Sequence, residues 1–454
     1  MKNLFLLLAI SCCFLVNAQE HFSGLSTSSR VGIINASINP SELVNMSNAF
    51  EFNLYGFSVN VANNKVGFSD IVAGNNIQNL MFQGSDPVNM RFNAEVYGPS
   101  LAFKLRSWAF AITTKANAKM DIVDVDTKIG DAITNSNIGS LISTTAINNN
   151  FNQRVNGTSW GEVGLSIAHN LLSKGSHRLN GGVTFKLLFP GAYANLGADK
   201  FYGSVVTSGG QSYLMNTTAN VNIAYSGSLA NSFSSVSDYS KSIYGGLNGF
   251  AGDIGVNYQW KDNADTSTSR YKNKYRINAG MSVRNIGSMT FKDSNNSSTN
   301  YTLSIQGAQS LNLNQFDNTH SLKDIETTLI NSGFLTKVTS NKDFKVNLPT
   351  TFNAYVDIKL VAKLFVSGYI QQKMKSDNDN DQITAQNIVT LTPRFNTGFF
   401  EVYSPISNSS VSGFNTGLGF RLGGFYLGSG SIVTALIRDS KQADIYTGFR
   451  WSFL

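Results

Sequence analysis

The final stretch of the chain alternates with period two. Ala443, Ile445, Thr447, Phe449, Trp451 and Phe453 form a largely apolar parity that ends in three aromatics. Asp444, Gly448, Arg450 and Ser452 form a polar or small parity, with Tyr446 as its exception. Successive strand residues point to opposite faces, so the pattern describes a strand with one apolar and one polar side. It reaches the C-terminal residues, and the chain opens with an export signal. Together these predict a transmembrane antiparallel β-barrel in the cell outer membrane, all-β, with lipid outside and a polar lumen inside.

The signal is expected over residues 1–18. Lys2 gives a positive start, residues 4–16 are apolar but too few to span a bilayer as a helix, and Val16-Asn17-Ala18 fits a small-residue cleavage site. Ala9-Ile10-Ser11-Cys12 loosely resembles a lipoprotein cleavage site, but with Ala where Leu is usual. The only cysteines, Cys12 and Cys13, lie in this signal, so the expected mature chain has no disulfide, thiol nucleophile or cysteine metal site.

The net charge of +7 is mild for 454 residues and contains no basic block, which argues against a nucleic-acid partner. Only 14% of residues are charged, against roughly 25% in ordinary soluble domains. That deficit, with 31 Phe and 40 Gly, suits an exported β protein with a lipid-facing surface. After the signal no apolar run is long enough for a spanning helix.

Alternation begins near Phe50 and recurs along the chain. Residues 19–49 precede it and read as an N-terminal plug segment; residues 50–454 read as the barrel. Clear strands are predicted over 92–106, from Trp108, around 163–167, 179–187, 219–225, 254–260, 275–283 and 352–360, and over several segments from there to the C-terminus. Sixteen candidates emerge, or 14 if the weak pair within 200–225 is discounted; both numbers are even, as a single-chain bacterial barrel requires. The segments 119–158, 226–250 and 287–344 are predicted long extracellular loops with short helices. One helix is expected near 129–133, and a second over 322–332, where Ser321 and Asp324 suggest a cap. Links at 107, 171–177, 360–362 and the hairpin Gly423-Gly424 are short and fall on the other, periplasmic side.

The parity predicted to face inward carries Lys104, Arg106, Lys186, Arg276, Arg284, Lys359, Arg421 and Arg450, with Glu162, Asp253, Asp357 and Asp444. Two readings stand. One is a basic lumen that favours anions or an acidic head group. The other is a ladder of ion pairs between strands and to the plug. Arg30 and Glu42 of the plug are expected to pair with this face. Trp160, Trp260 and Trp451 near strand ends suit an interfacial aromatic girdle. Gly448, Trp451 and Phe453 fit the signal read by the barrel-assembly machinery, although Leu454 replaces its usual terminal aromatic.

Chemistry-bearing motifs are sparse. His21, His169, His177 and His320 show no metal spacing. The acidic run 377–381 lacks the Gly and Glu of an EF-hand and reads as a solvated loop. No nucleophile elbow or phosphate loop occurs, so neither an enzyme nor a cofactor is expected.

Three stretches carry a resemblance: Ile38-Asn39-Pro40-Ser41, residues 57–64, and the region from Thr392-Pro393-Arg394-Phe395 to Arg421-Leu422-Gly423-Gly424-Phe425. They resemble an outer-membrane barrel family of unknown function that is itself similar to the long-chain fatty-acid transporter (FadL/OmpP1-like) superfamily, which includes shuttle barrels of the type IX secretion system. The resemblance implies a 14-stranded barrel plugged by its N-terminus, with Asn39 and Pro40 in the plug element. It implies binding or transport of small hydrophobic or amphipathic molecules. The alternative is a non-transporting barrel that docks secretion-system or surface proteins. Outer-membrane lipid and the assembly machinery are partners in either case.

Overall fold

The computed structural model describes residues 20–28, 32–134, 143–230, 246–261, 275–292, 296–317 and 319–453. The predicted signal, Arg30 and much of the 226–250 loop lie outside these residues.

Alternating sequence becomes strand along most of the chain. In order the strands are β1 (Phe50–Asn63), β2 (Val88–Tyr97), β3 (Ser100–Leu105), β4 (Trp108–Val125), β5 (Ser143–Asn149), β6 (Gln153–Lys174), β7 (His177–Ser208) and β8 (Gln211–Ser226). Next come β9 (Gly249–Lys261), β10 (Tyr275–Phe291), β11 (Ser297–Asn312), β12 (Leu335–Asn341), β13 (Phe344–Asn347), β14 (Thr351–Val361) and β15 (Leu364–Lys373). The last are β16 (Ile388–Asn396), β17 (Phe400–Tyr403), β18 (Ile406–Ser409), β19 (Gly413–Thr416), β20 (Leu418–Leu422), β21 (Phe425–Ser429) and β22 (Gln442–Phe453).

Several of these are two halves of one stave. Counting β2 with β3, β13 with β14, β17 with β18 and β19 with β20, the sheet closes as a ring of 14 antiparallel strands. Closure joins the first strand to the last: β1 pairs with β22 from Phe50 opposite Phe453 to Ala62 opposite Gln442, with a bulge between Asn53 and Tyr55. A closed ring leaves no unpaired edge, which is what a sheet in hydrocarbon needs. The parity follows: Leu101, Phe185, Ile254, Met281, Ile358 and Ile445 are exposed on the outside, while their strand neighbours Ala102, Lys186, Asp253, Ser282, Asp357 and Tyr446 are buried inside.

The count of 14 rather than 16 has a physical cause. Beyond Leu188, β7 leaves its partner β9 and pairs with β8 instead, from Tyr193 opposite Ser226 to Ser208 opposite Gln211. The strands β5, upper β7, β8, β11 and β12 extend the same sheet above the ring, joined to it through the β6–β7 pairing. Residues 200–225 are therefore strand, but not barrel stave. The helix Leu322–Asn331 covers this sheet; its cap Ser321 Oγ accepts the Asp324 N–H at 3.1 Å. Ile147, Phe201, Leu214, Ile223, Ile305 and Leu322 make its apolar core. Within it, Tyr225 and Tyr301 donate to the two oxygens of Glu326 at 2.8 and 2.6 Å. Burial first, and Glu326 second, push both phenols up, so they stay protonated donors. The predicted loop 119–158 is also largely structured: β4 runs on to Val125, and Thr127–Thr134 is a helix before β5.

Of the predicted girdle, Trp260 and Trp451 are exposed on the outer surface. Trp160 is not. It shares the inward parity of Glu162 and is buried against Leu188, Tyr193, Met289 and Phe291.

Candidate functional site: the lumen

A ring of this size is too wide for wall side chains alone to fill; about eight strands is the number they fill well. Here the bore is occupied by the chain's own N-terminal segment. Two short 3₁₀ turns, Gly32–Ser37 and Pro40–Asn45, organise it. Asn39 is extended and caps the second turn, accepting from the Ser41 N–H at 3.1 Å and the Ser41 hydroxyl at 2.6 Å. Pro40 then occupies the first helical position, where its missing N–H costs nothing. Phe22, Leu25, Ile33, Ile34, Leu43 and Val44 are buried against Tyr97, Tyr403, Tyr426 and Tyr446 of the wall. Tyr446 thereby explains the aromatic in the polar parity of the last strand: it faces inward and donates to the Ser23 carbonyl at 2.7 Å.

Asn39 and Pro40 press into a notch in the wall. A Cβ at Gly182 of β7 would lie 2.5 Å from the Ser41 nitrogen, and one at Gly255 of β9 would lie 2.2 Å from Asn39 Oδ1. The wall lacks side chains where the segment approaches most closely. Asn39 Nδ2 donates across the notch to the Val256 carbonyl at 2.8 Å, and Ser282 Oγ donates to the Ile38 carbonyl at 2.5 Å.

Below the notch lies a belt of amides. Glu42 accepts from Asn45 (2.7 Å), Asn257 (2.8 Å), Asn278 (3.0 Å) and the Tyr355 hydroxyl. The expected pairing of Glu42 with a basic wall residue is therefore corrected: neutral donors satisfy its carboxylate.

The inward charges form the ladder of ion pairs. Arg450 Nη1 lies 2.8 Å from Glu51 Oε2, and Glu51 Oε1 also accepts the Ile33 N–H at 2.7 Å. Arg421 lies 3.2 Å from Glu401. Arg394 Nε lies 2.9 Å from the same carboxylate, near enough for charge but poorly aligned for a hydrogen bond, and its Nη1 is 3.4 Å from Asp357. Lys186 bridges Glu162 at 3.6 Å and Asp253 at 2.9 Å. Lys104 holds the plug instead of a carboxylate, donating to the Val44 and Met46 carbonyls at 3.4 and 2.5 Å. Asp444 accepts from the Gly430 N–H and the Ser431 hydroxyl, both at 2.6 Å. Lys359 is half-buried at the rim on the inward parity. Trp451 points outward, and Gly448 is buried against Tyr426, where a Cβ would meet its hydroxyl oxygen at 2.1 Å. Phe453 is the last residue of β22 and opposes Phe50 of β1.

Two predicted lumen charges fall elsewhere. Arg276 sits at a register shift between Tyr275 and Ile277 and is exposed; the bulge turns Tyr275 inward instead, where its hydroxyl donates to Asp357. Arg106 lies beyond the end of β3 in a tight turn, exposed, with φ of +56°. Sequence parity missed Glu51, Glu401 and Arg394, which join the plug to the ladder; alternate spacing from Arg421 and Arg450 does not reveal them, since they sit on other staves. Glu401→Ala strands two buried guanidinium groups. We expect it to destabilise the folded barrel by about 3–5 kcal/mol, read as a lower temperature for loss of the compact, heat-modifiable gel band. Glu401→Gln should lose less. Equal midpoints for wild type and Glu401→Ala would contradict the ladder's role.

A second element closes the bore from the loop end. After β15, residues 374–381 are largely exposed, but Gln382, Ile383, Thr384, Ala385 and Gln386 are buried. Arg154 ties this segment down, donating to the Asp377 carbonyl at 2.6 Å and the Gln382 carbonyl at 2.9 Å. The Asp381 carboxyl is pushed up by its burial, with Arg154 pulling the other way. The inner tip meets the start of the plug: the Gln386 N–H donates to Glu20 Oε1 at 3.0 Å. Between plug, cap and wall remains a cavity of about 70 Å³. That is room for several waters, well below the roughly 300–1,000 Å³ of a small-molecule pocket.

The ring, the plug inside it and the long structured loops are the architecture that the resemblance to the fatty-acid transporter superfamily implies. Among solved structures the chain is similar to a mutant of the TodX monoaromatic hydrocarbon channel, at 12% identity and TM-score 0.47 over 95% of this chain and 96% of that one. It is also similar to the toluene transporter TbuX of Ralstonia pickettii, at 11% identity and TM-score 0.41 over 93% and 94%. A third is a FadL homologue of Pseudomonas aeruginosa, at 8% identity and TM-score 0.42 over 96% and 98%. No curated protein matches the chain. A family model matches residues 43–430, nearly the whole of the ring. The closed ring with its apolar outer face is an outer-membrane β-barrel, and the chain belongs to the Family of unknown function (DUF5723).

Proposed function

We propose that the protein is a gated outer-membrane channel that binds or passes small hydrophobic or amphipathic molecules, and that the filled lumen is its closed state. The observation that carries this reading is the nature of the filling. The bore is blocked by a terminal segment, attached to the wall at one end through β1. Much of its hold is a set of hydrogen bonds and small notches that displacement could exchange for water.

A reducible lock tests it. Thr27 Oγ1 of the plug lies 2.9 Å from Ser367 Oγ of β15, so cysteines at both positions are within disulfide reach. The native cysteines fall in the expected signal and do not interfere. In liposomes carrying the Thr27→Cys, Ser367→Cys protein, we expect uptake of a long-chain fatty acid to be low when oxidised and restored by reductant. Uptake that ignores the redox state, or that never exceeds protein-free liposomes in the wild type, would sink the channel reading. The second reading, a docking barrel, draws on one observation: the sheet above the ring ends in strands β5 and β12, each with a single strand partner among the described residues.

A further inference from the structure

Most central charges of the lumen neutralise one another. Around the cavity, Lys115 lies 3.8 Å from Glu95 and Lys119 lies 3.5 Å from Glu20. Arg284 differs. Among the described residues no carboxylate is within ion-pair distance of it, and its buried Nε has no hydrogen-bond partner.

The wall is deformed at this residue. Pairing of β10 with β9 slips between Val283 and Ile286, and Asn285 takes a left-handed φ of +57°. Asn285 donates its N–H to Asp253 Oδ1 at 2.7 Å and accepts from Lys186 Nζ at 2.6 Å. Asp253 and Lys186, themselves 2.9 Å apart, are thus committed to each other and to Asn285. Bulges commonly re-aim a side chain. This one leaves Arg284 on the cavity of about 70 Å³, which Glu20, Glu95, Lys119, Tyr369 and Gln371 also line.

Lys119 is set against Glu20, Glu95 against Lys115, and Lys186 against both Glu162 and Asp253, which leaves the guanidinium charge with no carboxylate in contact beside the cavity. Such a charge is costly unless paired. Its planar fork suits two oxygens of one acid group. We propose that the cavity is an anion site in which Arg284 holds a small oxyanion or a single carboxylate group. The space admits such a group and excludes a whole apolar molecule of drug size. The site does not require that anything crosses the barrel.

The test uses purified full-length barrel in detergent and a zwitterionic buffer of low ionic strength. Sodium acetate, inorganic phosphate and laurate below its micelle threshold are titrated separately, with sodium chloride as the matched control, and the unfolding midpoint is read. We expect a saturable rise beyond the chloride control. Arg284→Gln should weaken it at least about tenfold. Saturation by acetate or phosphate identifies a free anion; saturation by laurate alone identifies an amphiphile's head group. No saturable rise with any of the three in wild type, or the same response in Arg284→Gln, overturns the site. Should Arg284→Gln fail to fold, Thr351→Asp replaces it. Thr351 opposes Arg284 across the β10–β14 pair, so its new carboxylate supplies the anion from within. That variant should unfold at a higher temperature than wild type in anion-poor buffer and lose the anion response; an unchanged response overturns the proposal equally.

Discussion

A chain lacking residues 22–47 should still close its ring, but it should conduct. In planar bilayers we expect wild type near the bare-membrane baseline and the deletion at an open-pore level, since bores between about 8 and 16 strands widen steadily from filled to water-conducting. The ring should survive because it is held by its own main-chain ladders, from β1 through to β22, which the deletion spares. The freed wall groups, among them Glu401, Arg394, Lys104 and the amide belt, can be taken over by water. If the protein is a channel for amphiphiles, the deletion should also lose binding of a long-chain amphiphile; a docking barrel would have no such signal to lose. A deletion as tight as wild type would show that the cap formed by residues 382–386 is the barrier.

Removing residues 449–454, or changing both Trp451 and Phe453 to Asp, should abolish insertion. Phe449 to Phe453 face β1 along its first turns of pairing, from Tyr55 back to Phe50. Without them β1 has an open edge in the membrane. The double Asp variant keeps the backbone but puts charge on a lipid-facing strand; for Arg or Lys at mid-depth that costs roughly 2–4 kcal/mol, and less for Asp near the interface. It also spoils the alternation that the assembly machinery is expected to read. Heat-modifiable protein in the outer-membrane fraction is the measure. Normal levels of both variants would contradict the role of the terminal strand.

The barrel was legible because its rule is local: each residue's face follows from its neighbour's, so Ile254 and Asp253 could be assigned from the string alone. The rule fails wherever the count slips by one. A bulge at Arg276 reversed an assignment, and the turn at Arg106 ended one. Nor does parity report height. Residues 193–208 and 211–226 alternate well, yet stand above the ring, and Trp160 belongs to the interior. The lumen was legible in kind but not in detail. A surplus of inward cations suggested charge-driven binding; the partners that cancel it lie on neighbouring staves, Glu401 directly opposite Arg421, and Glu51 beside Arg450 only once closure joins β1 to β22. The glycine notch shows the same limit, because Gly182 and Gly255 acquire meaning only from Asn39 and Ser41 lying opposite.

The contacts of the N-terminal segment also fix an order of events. Thr27 meets Ser367, Gly24 and Thr27 meet Arg394, Ser28 meets Glu401, and Ser23 meets Tyr446. These partners lie in the final quarter of the chain, at sequence separations of 340 to 423 residues. Residues 23–28, made well before these partners, are therefore among the last to find their places. Such distant contacts form late, after the intervening chain has been organised. A half-built sheet, lacking β15 to β22, offers the segment the glycine notch, the amides of β7, β9 and β10, and Glu51, Tyr97, Lys104 and Tyr355, but none of these late partners. Seating the rest of it requires a finished circle, so the seal registers that the last strand has met the first.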